Sequence, residues 1–265
     1  PRAAVRPHRF EEHGRARVDD YYWLRDDTRQ NPEMLAYLAA ENAYTKAILA
    51  PTEALQATLY QELVGRLKQD DDSVPYFKNG FWYYRRFEAG NEYDRLYRRL
   101  GAMSAPEELL LDLNELARGH DYFQLGAWDV TPDGRLLAWT EDTVSRRQYT
   151  IHVRNLATGA RSRETIANCS GEVVWANDNR TLFYIEKDPV TLLGFRVRRH
   201  LLGDDPAADP VVWEEKDRTF YTEIGKSKSG RFIQIASRST LSSEVRLIDA
   251  GRPAEPPVVF LPREH

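Results

Sequence analysis

The sequence predicts a mainly β fold, in which an N-terminal helical segment precedes about four four-stranded blades of an incomplete β-propeller. Two observations predict it. Residues 1–75 carry helix-start signals and apolar residues at helical spacing, whereas the chain after Pro75 is rich in strands. The strand-rich part also repeats itself about every 50 residues, which is the length of a propeller blade. We therefore divide the chain into residues 1–75 and residues 76–265.

Two helices are predicted in the first segment. Asn31 precedes Pro32 and Glu33, the order of a capping residue, a proline at the first helical position and an acid in the first turn. The apolar stripe of this helix is Met34, Tyr37, Leu38, Tyr44 and Ile48. The second helix begins after Pro51 and places four leucines on one face. These leucines are Leu55, Leu59, Leu63 and Leu67.

Each repeat of the second segment begins with a tight turn that ends in glycine or asparagine. We call these residues the anchors: Gly80, Gly134, Asn179 and Gly230. Glycine and asparagine tolerate the left-handed backbone that a two-residue hairpin turn requires. Third strands are predicted at 93–97, 149–153, 195–197 and 244–248, and fourth strands at 109–111, 161–166, 211–213 and 258–260.

The number of blades has a consequence for the whole protein. Four blades can close a ring, but blades of this length are more common in larger rings. An open arc would leave two blade faces uncovered, because stacked repeats bury their apolar faces against neighbours. We therefore expect a longer natural protein. We also expect apolar edges that allow this chain to associate with another copy.

Composition disfavours several classes of function. The net charge of -4 argues against binding to nucleic acid or to an anionic membrane. Local basic clusters at 84–86, 97–99 and 196–199 alternate with apolar residues, so we interpret them as solvent faces of strands. There is no apolar run of about 20 residues, and the first residues lack the apolar centre of a secretory signal. These features predict a cytoplasmic protein that does not associate with membranes.

Motifs that carry chemistry are largely missing. The nucleophile pattern Gly-x-Ser-x-Gly does not occur, and Gly225 to Ser229 only approaches it. His8 and His13 resemble an inverted zinc-peptidase motif with one residue too many between them, and the acidic run 70–72 lacks the glycine and glutamate of a calcium loop. The single cysteine, Cys169, has no partner signal and is interpreted as a structural thiol. We predict no metal, no cofactor and no catalytic residue in this chain.

The run Tyr22-Trp23-Leu24-Arg25, followed by two aspartates, resembles the N-terminal segment of the prolyl oligopeptidase family of serine peptidases. The continuation to Arg29 is similar to the oligopeptidase B branch, also called protease II. Further similar stretches occur in order along the chain, at 41–44, 145–149, 174–178, 189–193, 214–217 and 243–247.

The resemblance implies a parent enzyme with a seven-bladed propeller that caps a C-terminal α/β-hydrolase domain. Such enzymes cleave short peptides after Arg or Lys with a Ser-Asp-His triad. The propeller admits substrates by size, and the N-terminal helices pack on the hydrolase domain. No residue here matches the triad, so the chain alone is expected to be inactive. The resemblance also implies that Asp121, Arg146 and Arg147 contribute to gating contacts between the domains, although ordinary surface charges explain them equally well.

One alternative stays open, a free-standing β-propeller that binds other proteins. It requires a closed ring in which the first and last blades touch. A weaker alternative is a metallopeptidase that uses His8 and His13.

Overall fold

The computed structural model describes residues 1–264 and confirms the mainly β fold. Its contacts divide the chain into two units, Pro1–Lys68 and Gln69–His265. The sequence places this boundary at residue 75. The structure assigns residues 69–75 to the second unit because Asp71 and Asp72 pair with Phe87 and Arg86, so the acidic run is an edge strand rather than a linker.

The first unit contains a hairpin and two helices. Strands β1 (His8–Glu12) and β2 (Arg15–Asp19) pair through a turn at His13 and Gly14. Helix α1 spans Pro32–Leu49, and the Asn31 side chain accepts hydrogen bonds from the backbone N–H groups of Glu33 and Met34, which confirms the predicted cap. Helix α2 spans Glu53–Gly65. None of the helices among residues 1–264 is long and apolar enough to cross a membrane.

The predicted leucine face of α2 forms at Leu55, Leu59 and Leu63 but is not covered, and Leu67 lies beyond the helix, which ends at Gly65. Leu55, Leu59, Leu63 and Leu67 are all exposed, as are Tyr44 and Ile48 of α1. Met34 is the buried residue of the two helices. Because apolar helix faces are normally buried, this unit presents a surface suited to a partner.

The second unit consists of four antiparallel blades. Blade 1 contains β3 (Asp71–Asp72), β4 (Tyr76–Lys78), β5 (Phe81–Phe87), β6 (Arg95–Leu100) and β7 (Glu107–Asp112). A short helix, α3 (Leu113–Ala117), leads to β8 (Gln124–Val130), β9 (Leu136–Asp142) and β10 (Tyr149–Asn155) of blade 2. Strand β11 (Ile166–Trp175) leads from blade 2 into blade 3, which also contains β12 (Thr181–Lys187), β13 (Gly194–Leu201) and β14 (Val211–Glu214). Blade 4 contains β15 (Tyr221–Lys226), β16 (Phe232–Arg238), β17 (Ser243–Asp249) and β18 (Val258–Leu261).

Strand β11 corrects one predicted element. A fourth strand was expected at 161–166, but the strand begins at Ile166 and continues to Trp175. Its first part pairs with β10 of blade 2, and its second part pairs with β12 of blade 3. The register shifts between Cys169 and Val173. One continuous strand thus serves as the last strand of blade 2 and the first strand of blade 3.

The apolar core lies between successive blades. One cluster joins blades 1 and 2, a second joins blades 2 and 3, and a third joins blades 3 and 4. Trp139, Trp175 and Phe183 are the largest fully buried side chains of these clusters. Within residues 1–264, no core cluster joins blade 4 back to blade 1. The four blades therefore form an open arc.

Candidate functional site

The first strand of each blade lines a common surface, which we call the inner groove. It is formed by β4, β8, the second part of β11, and β15. Strand β11 lies beside β8 and β15, and Lys78 of β4 bonds to Asp129 of β8. All four strands run in the same direction, from a proximal end, where the chain enters blade 1 at Asp71, to a distal end with the anchor turns. Groups on the groove are therefore supplied by four separate segments.

A polar chain crosses the inner groove from blade to blade. The Lys78 ammonium donates to Oδ1 of Asp129 at 2.7 Å, and Oδ2 of Asp129 accepts from the backbone N–H of Trp175 at 3.1 Å. The Trp175 indole donates to the backbone oxygen of Asp129 at 3.1 Å. The Lys226 ammonium then donates to the carbonyl of Trp175 at 2.9 Å. Four residues thus connect all four blades.

The groove changes the proton affinities of its members. Burial lowers the pKa of Lys226. The negative charge of Asp129 raises it and the positive charge of Lys78 lowers it further, and the net shift is downward. Burial also raises the pKa of Tyr76 to about 12. Both shifts have partial burial as their first cause, since each group loses part of its hydration in the groove.

At the distal end, the turns of the four blades surround a cavity of about 350 Å³. Tyr76 and Phe77 form an aromatic wall, and Lys78, Lys226 and Lys228 supply positive charge. Asp129 is the carboxylate of the lining, and both of its oxygens already accept hydrogen bonds. Positive charge therefore exceeds negative charge at this cavity.

The anchors also connect the blades, which the sequence did not indicate. All four have the predicted left-handed backbone, with φ values of 84°, 76°, 60° and 72°. Arg98 of blade 1 donates to the carbonyl of Gly134 at 2.7 Å. The Asn179 side chain accepts from the backbone of Asp133 at 2.9 Å, and the Asn177 side chain donates to the carbonyl of Gly230 at 3.0 Å. The turn residues thus join neighbouring blades.

Arg98 corrects the interpretation of the basic clusters as solvent faces. Its side chain is buried, forms two hydrogen bonds with Glu108 at 2.7 and 2.9 Å, and lies 4.1 Å from the ring centroid of Phe81. A guanidinium can be buried in this way because a carboxylate and a carbonyl satisfy its donors.

Arg146 and Arg147 lie at the proximal end, in the loop between β9 and β10. The buried carboxylate of Asp142 accepts hydrogen bonds from the backbone N–H groups of both arginines, at 3.0 and 2.6 Å. The buried Lys187 donates to the carbonyl of Arg147 at 2.6 Å. Arg147 has φ of 52° and an exposed side chain, so the loop is held in a left-handed conformation that presents this guanidinium to solvent.

Asp121 is exposed in the loop between α3 and β8, also at the proximal end. Within the described part of the chain, no ion pair joins Asp121 to Arg146 or Arg147. The structure therefore places the three predicted gating residues at one end of the arc without bringing them together. Whether they act as gating residues stays a prediction.

Two histidines have acidic partners that the sequence did not reveal. His200 is buried between Asp209 at 2.9 Å and Glu164 at 3.2 Å, and His152 lies 3.0 Å from Glu141. Tyr184 donates to the other oxygen of Asp209, and its phenol pKa is raised by burial first and then by that carboxylate. The polar partners of His200 come from blades 2 and 3, so we interpret it as a structural link.

The remaining sequence candidates do not form a catalytic site. Ser227 and Ser229 lie in the turn between β15 and β16 and contact one another at 3.1 Å. The thiol of Cys169 is fully buried, and burial strongly raises its pKa, as a structural thiol requires. His8 lies on a strand and stacks on Tyr22 at 4.1 Å. Residues 1–264 contain no group of three potential metal ligands close enough to hold an ion.

Comparisons with a protein-family model and with known proteins point to the same family. The family described as prolyl oligopeptidase, N-terminal beta-propeller domain, matches residues 1–265. The chain is 48% identical to dipeptidyl aminopeptidase BI of Pseudoxanthomonas mexicana, over all of this chain and 39% of that protein. It is 36% identical to protease 2 of Moraxella lacunata, over 94% of this chain and 37% of that protein.

Solved structures show the same fold. Oligopeptidase B from Leishmania major superimposes with a TM-score of 0.90 at 29% identity, over all of this chain and 40% of that one. Oligopeptidase B from Trypanosoma brucei, in a closed form with covalently bound antipain, superimposes with a TM-score of 0.88 at 30% identity. The match covers 99% of this chain and 39% of that one. The chain thus spans about two fifths of the length of these relatives.

Proposed function

The chain belongs to the prolyl oligopeptidase family, through its N-terminal β-propeller domain, and we propose that it caps and gates the active site of a serine-type oligopeptidase. The observation that carries this proposal is the open arc, whose four first strands line one groove. We expect a groove lined by these four strands to admit an extended peptide but not a folded protein. Closing such a cap over a catalytic site also excludes water from the reaction.

The partner of the cap is a C-terminal α/β-hydrolase domain of the same protein. The uncovered faces of α1 and α2 support this proposal, since Leu55, Leu59, Leu63 and Ile48 offer an apolar surface. The proximal end supplies polar contacts, because Arg147 is exposed on a loop fixed by Asp142 and Lys187. Asp121, Arg146 and Arg147 are our proposed gating residues.

For the substrate we propose short peptides cleaved after Arg or Lys. The similarity to oligopeptidase B structures and to protease 2 supports this assignment. A second candidate is removal of N-terminal dipeptides, which is favoured by the 48% identity to a dipeptidyl aminopeptidase. The open arc argues against the alternative of a free-standing propeller module, because that module needs contact between the first and last blades.

One experiment separates these possibilities. The complete gene product and this 265-residue chain are assayed on an Xaa-Arg arylamide, with the N-terminal amine either free or acetylated. We expect the complete protein to cleave both substrates, a serine-directed inhibitor to block it, and the chain alone to be inactive. Cleavage of the free form alone would establish the dipeptidyl activity instead. Inhibitor-sensitive turnover by the chain alone would overturn the cap assignment.

A further inference from the structure

We propose that the distal cavity of the inner groove binds the free α-carboxylate of a peptide through the ammonium groups of Lys78 and Lys226. That the ligand is a peptide rests on the proposed function. The new element is the place where the C-terminal end of that peptide binds. Its basis is the charge of the cavity. Lys78 forms an ion pair with Asp129, so those two charges largely cancel, and Lys226 and Lys228 give the lining its excess positive charge.

Lys226 is the more important of the two lysines for binding a carboxylate. The bond to the carbonyl of Trp175 uses one of its three N–H donors. This partner is neutral, unlike the carboxylate that pairs with Lys78. Lys226 is also half-buried, so its charge is poorly hydrated. Asp129 and Asp178 also attract this ammonium group, and a bound carboxylate would add a counter-charge that is hydrogen-bonded to it directly.

The remaining lining suits the end of a peptide. Tyr76 and Phe77 form an aromatic wall that can contact the last side chain of a peptide. The hydroxyl of Ser229 and the amide of Asn79 lie on the same cavity and can bond to peptide groups. A volume of about 350 Å³ accommodates one or two residues, and the net charge of -4 disfavours long polyanions.

The test is direct binding to this chain by isothermal titration, with an acetylated tripeptide Ala-Phe-Ala that ends in a free carboxylate or in an amide. We expect the free acid to bind at least tenfold more tightly than the amide, with an affinity that falls as salt is added. Inorganic phosphate is the second probe and should compete weakly. Equal affinities of acid and amide overturn the proposal, and phosphate that binds as tightly as the acid peptide overturns the peptide assignment.

Variants of Lys226 make the test specific. Lys226→Met should abolish the preference for the acid, whereas Lys226→Arg should retain it within about threefold because the charge remains. Lys216→Met, an exposed lysine at the proximal end, is the matched control and should leave binding unchanged. Lys78 is not the residue to substitute, because its removal would leave Asp129 buried without its cation. A Lys226→Met variant that still prefers the acid overturns the proposal. The readout is binding rather than hydrolysis, so its failure is distinct from a failure of the peptidase assignment.

Discussion

At the scale of single residues, Asp129 joins segments of the chain that are far apart in sequence. It lies on β8, and its side chain contacts Lys78 of blade 1 and the backbone of Trp175 of blade 3. A carboxylate that is mostly withdrawn from water is stable only when such partners compensate for its lost hydration. Asp129 therefore links three blades through one side chain.

We predict that Asp129→Asn destabilises the chain by about 2 kcal/mol, because it removes the charge that Lys78 and the Trp175 N–H group share. The measurement is the midpoint of urea unfolding, followed by tryptophan fluorescence. Asp204→Asn is the control, because Asp204 is exposed on the same unit and should change stability by less than about 0.5 kcal/mol. Equal midpoints for the two variants would contradict the role assigned to Asp129.

At the scale of elements, two anchors have the same backbone conformation but different surroundings. Gly134 has φ of 76°, and an added Cβ would lie 2.9 Å from the ring of Phe81. Gly230 has φ of 72°, and an added Cβ would meet nothing within 4 Å. Substituting both glycines therefore distinguishes the loss of stability caused by a left-handed backbone from the loss caused by crowding between blades.

We predict that Gly230→Ala costs about 1 kcal/mol of stability, from the left-handed backbone alone. Gly134→Ala should cost about 1 to 2 kcal/mol more, because Phe81 must move and the contact between blades 1 and 2 loosens. Thermal unfolding of both variants beside the unchanged protein measures the difference. If the two variants unfold at the same temperature, crowding at Gly134 contributes nothing.

The anchors also show what sequence can and cannot predict here. Their turns were predictable because a left-handed backbone is a local demand that selects glycine or asparagine. The polar chain through Asp129 was not predictable, since its members lie on different blades, far apart in sequence. The buried position of Arg98 and the continuation of β11 to Trp175 share that cause: both depend on a neighbouring blade. The fold follows from local periodicity, and the site follows from contacts between repeats.

An ion pair attaches the segment after β18 to the loop between β14 and β15. Arg263 donates to Glu215 at 2.6 Å, and the Glu215 side chain is only 4% exposed. Burial alone would raise the pKa of Glu215, but the bond from Arg263, together with bonds from Asp217 and Ser237, outweighs it. The pKa is therefore below its ordinary value of 4.5. A lowered folded-state pKa means that the stabilisation is complete above pH 4.5 and is lost as the pH falls through the folded value.

We predict that Glu215→Gln lowers stability by about 2 kcal/mol at pH 7. The difference from the unchanged protein should shrink as the pH falls below 4.5, where Glu215 itself becomes protonated. Urea unfolding between pH 7 and pH 3 checks this. Glu223→Gln is the control, because Glu223 is an exposed carboxylate on β15 of blade 4. A stability difference that does not change with pH would contradict the ionic role of Glu215.

At the scale of the whole molecule, the arc has two uncovered ends. The three core clusters of residues 1–264 lie between successive blades, so none of them covers the outer side of blade 1 or of blade 4. On blade 4, all four residues of β18 are exposed, with Phe260 at 71%. On blade 1, Phe87 and Leu100 are exposed. Exposed apolar residues on an edge strand favour association with another chain.

We therefore predict that this chain self-associates, and that Phe260→Lys shifts the equilibrium towards monomer by at least tenfold. A lysine on an edge strand disfavours pairing because its charge would have to lose water in the contact. Sedimentation velocity over a range of protein concentrations measures the shift. Leu241→Lys is the matched control, since Leu241 is 96% exposed in the turn between β16 and β17 and does not lie on the edge strand. A monomer at every concentration, or an equal effect of both substitutions, would show that the uncovered face of blade 4 does not drive association.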